Sequence, residues 1–516
     1  MKSRFPLVVL CSLLVLSLCA FTSSASTLED LKEEVARQVS PEERAKALKM
    51  LGDHYAAIED YRNAAAVYIE ALSLSRASFS LDERFEMAVR ISWGDYLEEA
   101  ETELRKILDD DPSRIDARVH LARVLSWMDR LDEAIAEADR VLKENPGNVE
   151  ALLVKANALR WRGDADESIP LYEEILQKGE DFEARLGLTY AYLDTGYYGR
   201  ARESFSRLKP AYPYQEKSQE RVEKVIVQET SPSLSGAVSF YSDSDDNRWS
   251  REEAEGKFLA GDWTVRILGA TGEAKAPSRG GRYRSVSAEG RLLRGRFDLR
   301  GSLGLSSLHS RGSGSVVTGA LQVKFLGKTL RGGARFSREV FTDTAELIEN
   351  RITSEGGSFF VEGNPVKRLR VTATFDWREY SDGNGSRAVR LEKDYLLSRK
   401  SPKLSLGGRL RYTDFRRQSG SGYFDPDDYI SLQAYTSLYH EVGEWYFYLE
   451  PYGGYQRFRR YGEKSEDLVG GGFASIGFNP SRRVTLELNG EGGNFSLGTA
   501  AGFRYLIAGF YVSIVF

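Results

Sequence analysis

Cysteine is almost absent from this 516-residue sequence, which holds only Cys11 and Cys19, both inside one apolar run near the N-terminus. Disulfide frameworks, thiol catalysis and cysteine-ligated metals are therefore excluded from the rest of the chain. Histidine is scarce too: His54, His120, His309 and His440 are scattered without metal-ligand spacing. There is no basic excess, with 71 Lys and Arg against 76 Asp and Glu, which argues against a general nucleic-acid binder. A second long apolar run is missing and mean hydropathy is −0.41, so a polytopic helical membrane protein is excluded. No Walker loop occurs, nor any nucleophile–base pair. The paired carboxylates Asp427-Asp428 read as loop solvation or a lipopolysaccharide cation site before a glycosidase pair. The expectation is of no enzyme activity, no cofactor and no metal.

The N-terminal run itself has the layout of a secretory signal peptide. Lys2 and Arg4 precede an apolar core from Leu7 to Ala20, and Ser23-Ser24-Ala25 supply small residues, so cleavage is expected after Ala25. Leu10 and Leu18 stand before the two cysteines, where a lipoprotein signal needs a small residue.

Glycine divides the chain near residue 230. Residues 1–230 hold 8 of the 48 glycines, with 43 acidic against 31 basic residues; residues 231–516 hold the other 40, with 40 basic against 33 acidic. The first part reads as helix and the second as strand. Gln228 to Ser233, polar with Pro232, reads as the join. The expected domains are a signal peptide at 1–25, a helical repeat domain at 26–229 and a β-domain at 230–516.

The helical part repeats. Ala64, Ala100, Ala134, Ser168 and Ala201 recur at intervals of 33 to 36 residues. Each is followed four positions on by Tyr68, Leu104, Ala138, Tyr172 or Phe205, and three later by Ala71, Ile107, Val141, Ile175 or Leu208. Pro112 and Pro146 close two of the units. A helix–turn–helix period near 34 residues with this pattern is the tetratricopeptide repeat. The small residue lets two helices approach, and the larger one fills the gap to the next repeat. Five repeats are expected over 41–212, with a leading helix at Leu28–Arg37 and a capping helix at Tyr214–Val227.

The second part alternates with period two. In Arg368–Arg378, Leu369, Val371, Ala373, Phe375 and Trp377 share one face, and arginine, threonine and aspartate share the other. Arg296–Ser306 and Arg483–Glu491 behave alike. With a signal peptide and no cysteine, the apolar face is read as facing lipid and the polar face as facing a lumen. Sixteen such segments are expected, starting near 234, 249, 262, 281, 295, 315, 328, 347, 367, 386, 402, 429, 443, 467, 482 and 500. Seven odd-to-even connections, among them Gly272–Gly281, Arg416–Asp428 and Arg459–Asp467, read as long external loops, and the even-to-odd links as tight turns. Phe510, Val512, Ile514 and Phe516 share one face of the last strand, which resembles the recognition signal that outer-membrane barrels present to their assembly machinery.

A tetratricopeptide solenoid followed by an antiparallel transmembrane barrel of about sixteen strands resembles the bacterial exopolysaccharide export porins. These include the poly-N-acetylglucosamine export porin and the C-terminal region of cellulose synthase operon protein C. The stretch Gly422-Tyr423-Phe424-Asp425-Pro426-Asp427-Asp428-Tyr429, with the Tyr-rich hairpin ending Gly453-Gly454-Tyr455-Gln456, is similar to the Tyr-aromatic-x-Pro loop of those barrels. Five repeats are fewer than such exporters often carry, which leaves a smaller YaiO-type outer-membrane barrel as the other relative. The resemblance implies export of a hydrophilic polymer through an outer-membrane barrel, with periplasmic repeats docking synthesis or modification proteins. The implied partners are lipid and lipopolysaccharide, periplasmic or inner-membrane proteins, a polysaccharide and the barrel assembly machinery, with no nucleic acid. A non-transporting scaffold with a plugged barrel is the alternative.

The candidate site is the lumen. Alternation points inward for Arg296, Asp298, Arg300, Arg370, Asp376, Arg378, Arg409, Arg411, Glu487 and Glu491. Tyr446, Tyr448 and Glu450 fall on the polar face of their strand, where a tyrosine ladder could carry sugar rings or simply pack the wall.

Overall fold

The computed structural model describes residues 28–366, 368–494 and 503–516. The signal-peptide reading of 1–25 lies outside them. The chain divides into two compact units, Met1–Gly187 and Leu188–Phe516. The change from helix to strand falls later, between Thr230 and Ser233.

In the first unit, α1 (28–37) precedes α2 (Pro41–Ala57), α3 (Tyr61–Ser75), α4 (Leu81–Trp93), α5 (Leu97–Asp110), α6 (Ile115–Trp127), α7 (Leu131–Glu144), α8 (Val149–Arg162), α9 (Ala165–Lys178) and the first part of α10 (Phe182–Thr195). The residues that mark the period form the core: Ala64, Ala100, Ala134 and Ser168 are all fully buried. Tyr68 and Tyr172 are also fully buried, and each lies where a Cβ on Gly52 or Gly187 would be 2.5 Å away. Glycine at those two positions is thus what admits the tyrosine ring between helices. Helix termini follow the local chemistry. Ser80 and Glu83 form a reciprocal capping box at α4, and α5 and α7 stop before Pro112 and Pro146.

The second unit holds the rest of α10, α11 (Tyr198–Ser206), α12 (Pro213–Thr230) and the barrel strands. These are β1 (Ser233–Asp243), β2 (Arg248–Ala260), β3 (Trp263–Ala276), β4 (Arg279–Arg294), β5 (Phe297–His309), β6 (Ser313–Leu326), β7 (Leu330–Val340) and β8 (Thr353–Val366). Then come β9 (Leu369–Tyr380), β10 (Gly385–Ser398), β11 (Lys403–Phe415), β12 (Asp427–Val442), β13 (Trp445–Arg460), β14 (Glu463–Ser481), β15 (Val484–Gly493) and β16 (Tyr505–Val515). Each strand pairs antiparallel with its sequence neighbours, and β1 pairs with β16, so the sheet closes. Closure removes the edges that could not be satisfied in lipid. Outward positions carry large exposed apolar side chains such as Leu303, Leu321 and Leu468, while inward positions carry charge and hydroxyls. A short helix, α13 (Ala345–Asn350), sits between β7 and β8.

The barrel departs from the sequence expectation in its connections. Among the described strands, only β7–β8, β11–β12 and β15–β16 are separated by more than four residues at the odd-to-even end. Arg459–Asp467 is not a loop: β13 and β14 continue to a turn at Tyr461-Gly462, with Arg459 opposite Lys464 and Arg460 opposite Glu463. Gly272–Gly281 likewise lies mostly in β3 and β4. Residue 347, expected to open a strand, belongs to α13, and β8 starts at Thr353.

The opposite, tight-turn end meets the last helices inside the second unit. Gly295 donates its backbone N–H to the Thr195 carbonyl at 3.2 Å. The Arg294 guanidinium lies 4.6 Å over the Tyr197 ring and donates to the Gly196 carbonyl at 3.0 Å. Gly196 has φ +80° and no room for a Cβ, which would sit 2.2 Å from the Leu293 carbonyl oxygen.

Candidate functional site in the barrel lumen

Two connections fold into the mouth at the odd-to-even end. In the first, α13 is capped by Thr344 and buries Ala345, Leu347 and Ile348. Ile348 packs with Ala274, Tyr283 and Leu308 from the inner faces of β3, β4 and β5. Gly281 makes that approach possible, since a Cβ there would be 2.7 Å from Ile348. The second connection, 416–426, is the Tyr- and Pro-bearing stretch. The sequence places it outside, yet its central residues turn inward. Tyr423 stacks on Tyr380 with centroids 4.7 Å apart and donates to Asp382 at 2.8 Å. Fully buried Asn384 donates to the Arg417 carbonyl at 2.8 Å. Asp425 is fully buried, accepts from Ser419 Oγ at 3.0 Å and pairs with Arg460 at 3.1 Å. The two connections touch, because Thr344 Oγ1 donates to the Gly422 carbonyl and Asn350 Nδ2 to the Ser421 carbonyl, each at 3.3 Å. Burial acts to raise the Asp382 carboxyl, but bonds from Ser421, the Asn384 backbone and Tyr423 outweigh it and hold it below its ordinary value.

Beneath these connections lies a cavity of about 880 Å³. Its wall combines the aromatic rings of Tyr241, Trp249, Phe341 and Tyr423 with the guanidinium groups of Arg378, Arg390 and Arg411. The carboxylates of Asp243, Asp245, Asp343, Glu346 and Asp376 line it too, so aromatic faces alternate with charge of both signs.

The expected lumen residues fall into groups. Asp298, 3% exposed, accepts from Arg291 at 3.2 Å and Arg300 at 3.0 Å. Arg370 reaches Asp394 at 3.4 Å, Arg390 reaches Asp376 at 2.9 Å, and Arg378 stands 3.5 Å from Glu339. Arg409 binds Glu450 at 2.6 Å and lies 4.0 Å over the Tyr435 ring. Tyr446 donates to Glu487 and Tyr448 to Glu450. Tyr505 donates to Glu491 at 2.7 Å. The tyrosine ladder is therefore tied to the wall by carboxylates. Arg296 is the exception: it lies in the turn between β4 and β5, not on a strand. Phe510, Ile514 and Phe516 face outward with Val512 on the same side, and the Phe516 backbone N–H donates to the Pro232 carbonyl at 2.9 Å at the closing seam. The sequence reading did not assign Arg291, Arg390, Glu392, Arg460 or Tyr429, the last quoted only within the Gly422–Tyr429 stretch, to the lumen. The period-two parity of β4, β10, β12 and β13 could have found them.

The helical unit carries a second feature absent from the sequence reading. Trp93, Trp127 and Trp161 recur at the repeat period, at or one residue before the ends of α4, α6 and α8. They are 51, 42 and 40% exposed. Trp93 meets Tyr61 edge-on at 5.2 Å and Trp127 meets His120 at 6.2 Å.

Tetratricopeptide-repeat families match residues 97–158 and 153–216. Neither is an enzyme family. Repeats and barrel together give a tetratricopeptide-repeat region followed by a closed sixteen-strand antiparallel β-barrel, the architecture that the resemblance to exopolysaccharide export porins implies. Among solved structures, a bacterial polysaccharide outer membrane secretin is 12% identical, with 56% of this chain aligned to 99% of it and a TM-score of 0.46. CdiB from Acinetobacter baumannii is 10% identical over 56% of this chain and 60% of its own, with a TM-score of 0.39. A tetratricopeptide repeat protein from Parabacteroides merdae is 18% identical over 41% and 82%, with a TM-score of 0.35. No curated protein sequence matches the chain.

Proposed function

We propose that the barrel is an outer-membrane passage for a hydrophilic polymer, an exopolysaccharide, and that the repeats lie in the periplasm and dock the proteins that make or modify it. One observation carries the reading: an apolar outer belt encloses a wall of arginine, carboxylate and tyrosine around a cavity of about 880 Å³. Sixteen strands enclose a lumen wide enough for an aqueous channel unless loops fill it. The periodic, exposed Trp93, Trp127 and Trp161 support docking, since tryptophan is enriched among the residues that dominate protein interfaces. The acidic helical part favours partners with basic patches. The last strand, with Phe516 at its end, is the part offered to the assembly machinery.

A plugged, non-transporting scaffold is the second reading, and the interlock of α13 with 416–426 favours it. Deleting the gene in its native host separates the two. Under the export reading, polymer accumulates in the periplasm and disappears from the cell surface. Normal surface polymer in the deletion strain would leave the scaffold.

A further inference from the structure

Arg390 of β10 and Arg411 of β11 are direct cross-strand partners, and both line the mouth cavity. Like charges directly opposite on one sheet face repel at a Cβ separation of roughly 5 Å. The same barrel solves this problem elsewhere. Arg291 and Arg300 are also direct partners, across β4 and β5, and the Asp298 carboxylate bridges both. At Arg390 and Arg411 the bridge is incomplete: Asp376 accepts from Arg390 at 2.9 Å and does not bind Arg411. Arg411 makes no hydrogen bond or ion pair among the described residues, and its guanidinium is held 5.9 Å over the Tyr429 ring. The other cations of the cavity have carboxylates. Arg279 pairs with Glu346 at 2.7 Å, Arg378 with Glu339 at 3.5 Å and Arg460 with Asp425 at 3.1 Å.

We propose that Arg411, with Arg390 beside it, binds the carboxylate of an acidic sugar unit in the mouth cavity. The ligand carboxylate takes the bridging place that Asp298 fills at Arg291 and Arg300. Planar guanidinium groups suit such bidentate recognition, and about 880 Å³ accommodates a short oligosaccharide. The sugar part of the inference rests on the export reading, and the anion notch rests on the arginine geometry alone.

The test is calorimetric binding to the purified full chain in detergent at low ionic strength, with trigalacturonate, neutral cellotriose and a sulfated trisaccharide as probes. Trigalacturonate should bind at least about tenfold more tightly than cellotriose, and Arg411→Gln should remove the difference. Arg411→Lys keeps the charge and should keep part of the preference. Asp376→Asn frees Arg390 and should tighten binding, an effect that damage to the fold would not produce. Equal binding of the carboxylated and neutral probes, unchanged affinity in Arg411→Gln, weaker binding in Asp376→Asn, or a clear preference for the sulfated probe would each overturn the proposal. Calorimetry reads binding without transport, so failed export with intact binding would sink the export reading and leave the notch, and the reverse result would do the opposite.

Discussion

Asp425 and Arg460 form an ion pair of 3.1 Å inside the barrel, with the carboxylate fully buried and the guanidinium 8% exposed. It fastens the C-terminal part of the connection 416–426 to the last residue of β13, at the mouth of the barrel. The pair is poorly satisfied on both sides, because Arg460 Nε and Nη1 and Asp425 Oδ1 are buried without hydrogen-bond partners among the described residues. Removing one partner of a buried pair costs about 3–5 kcal/mol, since the other charge is left uncompensated. Asp425→Ala should therefore release 416–426 from the mouth while the strands persist. In bilayer recordings its conductance should rise several-fold over that of the unaltered chain. An unchanged conductance from a heat-modifiable barrel would show that this pair does not hold the constriction.

The closing seam makes a second prediction. Phe516 lies exposed just beyond β16, and its backbone N–H meets the Pro232 carbonyl beside β1. Deleting Phe516 removes both the terminal aromatic ring and one bond of the seam, where unsatisfied groups in lipid cost several kcal/mol each. Insertion into the outer membrane should fall sharply, measured as loss of the heat-modifiable band in membrane fractions. Undiminished insertion would contradict the lipid-facing reading of the last strand.

The helical unit should lose stability in acid through His120. This side chain is 3% exposed, contacts Ser92 Oγ at 3.0 Å and sits edge-on to Phe85 and Trp127. Burial, aided by the Arg123 charge, pushes its pKa down from 6.5 to about 4. The unfolded state then binds the extra proton between those values, so stability falls as pH drops from 6.5 and the loss is complete near 4. The expected loss is about 3 kcal/mol. Denaturation followed by the helical circular dichroism signal measures it, and His120→Phe should flatten the slope. A slope unchanged by His120→Phe would assign the pH dependence to other groups.

Much of this fold was legible because its periods are physical requirements. The small residues at Ala64, Ala100, Ala134 and Ser168 sit where helices touch, so their spacing reports the repeat directly. Alternation in Arg368–Arg378 reports a wall with lipid on one side and polar surroundings on the other. What stayed hidden is where strands run on without lipid. Arg459, Arg460, Glu463 and Lys464 are polar and read as loop, yet they pair across β13 and β14, Arg460 opposite Glu463. Leu347 and Ile348 form an apolar pair too short to tell helix from strand. In α13 both are buried, with Ile348 packed onto β3–β5, where no outer-belt pattern applies. Among the lumen residues, face could be read from parity but pairing could not. That Asp298 serves two arginines while Asp376 serves one depends on side-chain reach across strands.

Conductance of the purified full chain in a planar bilayer, with and without α13 and 416–426, tests the central claim most directly. The account predicts small or intermittent currents from the intact chain and a wide, steady channel once both connections are shortened. That channel should show a weak anion preference, because arginine exceeds lysine in the barrel by 31 to 9 and basic residues exceed acidic ones by 40 to 33. The preference should fade as salt shortens the screening length below about 8 Å. A barrel that remains closed after both connections are removed would contradict the claim that this lumen is a passage.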